Sequence, residues 1–80
     1  MLGEQHVKNS AALRSQGKLA EALAEIEANL ASFDDTTLVP ALLQAIYAAK
    51  AAGNLAKARE IARKLAQHDP DIPSIKEFLT

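Results

Sequence analysis

Eighty residues suffice for one domain at most, and a chain this short buries only roughly 60% of its unfolded surface, so its stability margin is thin. Nine basic against ten acidic residues leave a net charge of −1, which excludes a general attraction to nucleic acid or to anionic membrane. With no cysteine, disulfides and thiolate metal sites are excluded as well.

The first predicted helix covers about 4–16 and is weakly patterned, with Val7, Ala11, Ala12 and Leu13 as its apolar positions, so one face is expected to stay wet. Gly17 ends it, since glycine tolerates the left-handed conformation that closes a helix. The second, about 19–33, is the clearest: Leu19, Ala22, Leu23, Ile26, Leu30 and Phe33 follow the 3.6-residue period. Ser32 to Thr37 is polar enough for a loop, with Thr37 or Asp35 placed to N-cap the next helix and Pro40 tolerated in its first turn. That third helix, about 38–52, is apolar on much of its circumference and must be covered on more than one side. Gly53 ends it. The fourth, about 55–68, carries Leu55, Ala58, Ile61, Ala62 and Leu65. Asp69-Pro70-Asp71-Ile72-Pro73 is the last break, because proline lacks the amide a helix interior needs. A short helix near 72–79 completes the chain, with Ile72, Ile75, Phe78 and Leu79 at helical spacing. No segment alternates with a period of two, so the fold class expected is all-α.

Shifting the chain by 36 residues places Gly17 on Gly53, Leu19 on Leu55, Ala20 on Ala56, Ala22 on Ala58 and Ala12 on Ala48. Val7 falls on Leu43 and Arg14 on Lys50. Coincidence around a glycine turn marks one supersecondary unit used twice.

The stretches Gly17-Lys18-Leu19-Ala20-Glu21-Ala22-Leu23 and Gly53-Asn54-Leu55-Ala56-Lys57-Ala58-Arg59, with Asp69-Pro70 as a closing proline, resemble the tetratricopeptide repeat family. The resemblance covers about residues 4–71. It departs from the family where His6 and Leu42 stand for a bulky aromatic, where Ser10 and Ile46 stand for a small residue, and in a spacing of 36 against the usual 34. It implies one α-solenoid domain of antiparallel helix–turn–helix repeats: four main helices in repeat one, about 4–35, and repeat two, about 38–71, then a C-terminal cap at 72–80. Two repeats fall short of the roughly three usually needed for stability, so the short last helix is expected to lie on the second repeat, the alternative cover being a second copy of the chain.

Catalytic signatures are missing: there is no phosphate-binding glycine loop and no zinc-binding His-Glu-x-x-His. Glu21 and Glu25 lie one helical turn apart and read as solvated charges beside an apolar stripe, and His68, Asp69 and Asp71 read as a polar helix end rather than a metal site. No enzyme activity, cofactor or metal is expected. Alanine dominates an apolar share of 49%, and no apolar run approaches the roughly 20 residues of a membrane span. The stretch Met1 to His6 has no charged and apolar regions of a signal peptide. Together with the missing cysteine this gives a cytoplasmic expectation.

Charge is unevenly placed. The second helix holds Glu21, Glu25 and Glu27, and the fourth holds Lys57, Arg59, Arg63 and Lys64 against Glu60 alone. Pairing of one molecule's acidic helix with another's basic helix would give self-association; solvated faces with pairs of the Glu60–Lys64 type are the plainer account. Nucleic acid is disfavoured, because no aromatic accompanies the basic stripe. By the resemblance, the first helix of each repeat lines a partner-binding groove: Val7, Ala11 and Arg14, then Leu43, Tyr47 and Lys50. Tyr47 stands out as a lone aromatic with a polar tip. The family's carboxylate clamp is not expected, since Val7, Ala11 and Gln44 occupy its positions. The function expected is therefore a non-enzymatic interaction or assembly module that binds a peptide or helix, or associates with itself. The alternative is a purely structural solenoid fragment or designed repeat without a ligand.

Overall fold

The structure, a computed structural model, describes residues 2–79; Met1 and Thr80, the last position of the expected cap, lie outside the described residues. In chain order the helices are α1 (Leu2–Ser15), α2 (Leu19–Glu27), α3 (Leu38–Ala51), α4 (Leu55–His68) and α5 (Lys76–Leu79). Short 3₁₀ segments at Leu30–Ser32 and Pro73–Ile75 precede α3 and α5. No strand occurs among the described residues.

The two glycine turns are built alike. Gly17 and Gly53 both hold φ at +78°. In each, the residue after the glycine donates its amide to the carbonyl five residues back, Lys18 to Leu13 and Asn54 to Ala49, at 2.9 Å. The glycine amide itself reaches the third carbonyl back, on Arg14 or Lys50, at 3.0 Å. This pair of bonds satisfies carbonyls that a helix end otherwise leaves open. Past the second turn, Asn54 Oδ1 accepts the Lys57 amide at 3.2 Å and caps α4; Lys18 provides no such side-chain cap to α2.

Two expectations about the middle of the chain need correction. The second helix does not run to residue 33 but stops at Glu27. Asn29 ends it by substitution: its side-chain amide donates to the Glu25 carbonyl at 2.8 Å, the acceptor its own backbone amide would use in a continuing helix. That backbone amide turns to Ile26 instead. Thr37, one of the two residues expected at the N-cap of α3, does occupy it, but its side chain makes no capping bond to the helix. Asp34 organises the entry, its Oδ1 accepting the amides of Thr36 and Thr37 and both their hydroxyls at 2.7–3.0 Å. These bonds hold its carboxyl below the usual carboxylate range, the Thr36 hydroxyl contributing most.

Burial centres on α3, which packs on α1, α2 and α4 and buries Ala41, Leu42, Ala45, Ile46, Ala48 and Ala49. Ala22 and Ala58, equivalent under the 36-residue shift, are both fully buried, as small residues must be where helices approach closely. Ile26, Ile61, Ala62 and Leu65 complete the centre. Ser10, also fully buried, satisfies its hydroxyl by donating to the Ala22 carbonyl across the α1–α2 contact at 2.8 Å.

From the chain's end, Ile75 and Phe78 join the same core, while Ile72 packs partly against it. Leu79 is 39% exposed, Leu30 41% and Leu55 50%, against the sequence stripes that placed them inside. Each sits at or beyond a helix end. One close approach was not anticipated: α1 begins at Leu2, and Gly3 is buried where a Cβ would stand 2.8 Å from Thr37 Oγ1 and 3.0 Å from the Ser32 carbonyl.

Candidate partner-binding face

Of the six residues picked out by sequence, Val7, Ala11, Arg14, Leu43 and Tyr47 are half-buried and Lys50 is exposed. Three stand on α1 and three on α3, two helices in direct contact. The structure joins Arg14 to Tyr47: the guanidinium carbon lies 5.4 Å from the ring centroid, and Arg14 Nε donates to Gln44 Oε1 at 3.1 Å. A stacked guanidinium of this kind contributes about 0.5–1 kcal/mol at an exposed site.

Lys50 turns the other way, to the C-terminal helix. Its Nζ lies 2.8 Å from Glu77 Oε1 and 5.6 Å from the Phe78 ring centroid. Both charged side chains are more than half exposed, so the pair contributes about 0–1 kcal/mol. Arg14 and Lys50, matched by the repeat, thus do matched work: each stands in the last turn of its helix and covers an aromatic ring two helices further along the chain, Arg14 from α1 to α3 and Lys50 from α3 to α5. Both groove cations are thus engaged within the chain. Their equivalence under the 36-residue shift could have signalled a common role, but the rings they cover are distant in sequence.

Val7 lines a largely apolar cleft of about 260 Å³ between α1 and the start of α3, with Glu4, Lys8, Thr36, Thr37 and Pro40. None of those five had been singled out as lining, because they meet only through the bend that Asp34 imposes. Leu43, like Val7, packs its inner side against the core.

Some of the charges on the acidic and basic helices find partners within the chain. Glu25 of α2 meets His6 Nδ1 at 2.5 Å beside the edge of the Phe33 ring. Glu27 meets Lys57 Nζ at 2.9 Å and, with help from Glu60 at 3.5 Å, raises the lysine's pKa above its ordinary value. The pair on α4 is therefore Lys57–Glu60 rather than Glu60–Lys64. Glu21 and Glu25 do not act together, since only the second is engaged. His68 and Asp69 line a second cleft of about 300 Å³ with Asp35, Leu38 and Val39, and Asp69 Oδ1 accepts the Asp71 amide at 3.1 Å. Among the described residues no cluster of three or more histidines and carboxylates is placed to hold a metal ion.

Among the described residues no helix is long and apolar enough to cross a membrane. Comparison with protein-family models, with curated proteins and with solved structures finds no match.

Proposed function

We propose that the chain is a non-enzymatic protein-interaction module of the tetratricopeptide type, which takes a peptide or helix along the face shared by α1 and α3. The supporting observation is the convergence of Arg14, Gln44 and Tyr47 across the α1–α3 contact, on the same pair of helices as the Val7 cleft. A partner's apolar side chain enters the cleft, while the half-buried Tyr47 offers a rigid ring with a hydroxyl tip, the type of residue that anchors interfaces. Arg14 and Lys50 favour a partner carrying carboxylates, and the weak Lys50–Glu77 pair exchanges at little cost.

Selection from a displayed peptide library against the intact chain tests this. The selected sequences are expected to bind the Tyr47→Ala variant at least about tenfold more weakly, as loss of a central aromatic anchor predicts. Equal affinity for the two forms refutes the face. The structural reading draws its support from Arg14 and Lys50 being occupied within the chain. It predicts that the library yields nothing and that the mass in solution stays that of one chain at every concentration.

A further inference from the structure

Leu55, Arg59 and Arg63 succeed one another at four-residue intervals and so form one ridge along α4, flanked by Lys64. All four are exposed, Leu55 at 50%. Three cations elsewhere have partners: Arg14 has Gln44 and Tyr47, Lys50 has Glu77, and Lys57 has Glu27 and Glu60, whereas Lys8, Lys18 and Lys76 stand singly at separate places in the chain. Among the described residues, Arg59, Arg63 and Lys64 have no carboxylate within ion-pairing distance. A chain of net charge −1 thus concentrates three unpaired cations within residues 59–64 of one helix. The internal repeat sharpens this. Under the 36-residue shift Leu55 corresponds to Leu19 and Arg59 to Leu23 on α2, where Leu19 is half-buried and Leu23 packs against the core. The leucine end of the ridge thus corresponds to a partly covered stretch of α2, while Arg63 and Lys64 correspond to Glu27 and Ala28, which are exposed there as well.

We infer that this ridge docks an acidic, amphipathic helical segment of a partner protein, separately from the α1–α3 face. Two arginines one helical turn apart present planar forks that match carboxylates on a facing helix, and Leu55 supplies an apolar contact at the end of the row. Charge complementarity selects the partner's sign. A nucleic acid fits less well, because Phe33, Tyr47 and Phe78 are each engaged elsewhere and none stands by the ridge to stack a base. A second copy fits less well too: of the acids on α2, Glu25 and Glu27 are held by His6 and Lys57, which leaves Glu21 alone.

The test uses the whole isotope-labelled chain and a synthetic helical peptide of about 15 residues, carrying one leucine and then glutamates at four-residue spacing. Amide shifts are expected along residues 55–64. Affinity should fall at least about tenfold in the Arg59→Gln/Arg63→Gln variant, further in Arg59→Glu/Arg63→Glu, and stay unchanged in Tyr47→Ala. Far-UV circular dichroism checks that the variants keep their helix content. The inference is overturned if glutamines in the peptide serve as well as glutamates, if oligothymidylate of similar length binds as tightly, if shifts gather on α1 and α3, or if the chain alone self-associates through these residues.

Discussion

Replacing Gly17 by alanine tests the architecture through a sign as well as a size. A Cβ at Gly17 would meet nothing within 4 Å, and the same holds at Gly53, so packing contributes nothing to the outcome. The backbone alone decides it. At φ +78° an L-residue costs about 1–2 kcal/mol relative to the right-handed region. The loss of glycine's freedom in the unfolded chain returns about 0.4–1 kcal/mol. The net expectation is a destabilisation of about 1 kcal/mol at either site, similar at both because the two turns share one geometry. In a domain of this size that lowers Tm by about 4–8 °C. D-alanine, introduced by chemical synthesis, prefers positive φ and keeps the entropic benefit alone, so it should stabilise by about 0.4–1 kcal/mol. Urea unfolding followed by circular dichroism, with the midpoint compared at constant m, reads all of this. A stabilised L-alanine variant would refute the reasoning, since alanine is better than glycine by about 1 kcal/mol only inside a continuous helix, and the paired hairpins would then be wrong.

Three further outcomes rest on particular contacts. Gly3→Ala should destabilise by about 1 kcal/mol despite lying in a helix, because overpacking against Thr37 and the Ser32 carbonyl, about 1–3 kcal/mol, outweighs the propensity gain; a higher Tm would show that the approach is loose. Phe78→Ala should cost about 3–5 kcal/mol, enough to leave so small a domain largely unfolded, whereas Phe78→Leu should stay folded with a lower midpoint; an unmoved Tm in both would mean the last helix does not hold the core. The Asp34 carboxyl, whose pKa is lowered from 3.8 by its threonine bonds, binds protons more weakly folded than unfolded. Its contribution is therefore complete above that value and is lost as pH falls through the lower folded one. Acid titration of stability should show this loss in the unaltered chain and a smaller slope in Asp34→Asn; equal slopes would refute the role.

Much of this was open to the sequence because it rests on local physics. The turns at Gly17 and Gly53 need only a residue that accepts positive φ, and the stripe from Ala58 to Leu65 needs only the helical period, so both could be read before any contact was known. The all-helical class and the need to cover α3 on several sides came from the same patterns. Interactions between distant segments were decided by the tertiary structure. Gly3 lies against Thr37 and Ser32, and Arg14 found Gln44 and Tyr47 while Lys50 found Glu77 and Phe78. Leu55, first in its stripe, is half exposed, whereas its counterpart Leu19 is more fully covered. A periodic pattern states which side of a helix is apolar. Which neighbour arrives there, and how far along it extends, depends on how the helices dock, and that information is spread over the whole chain.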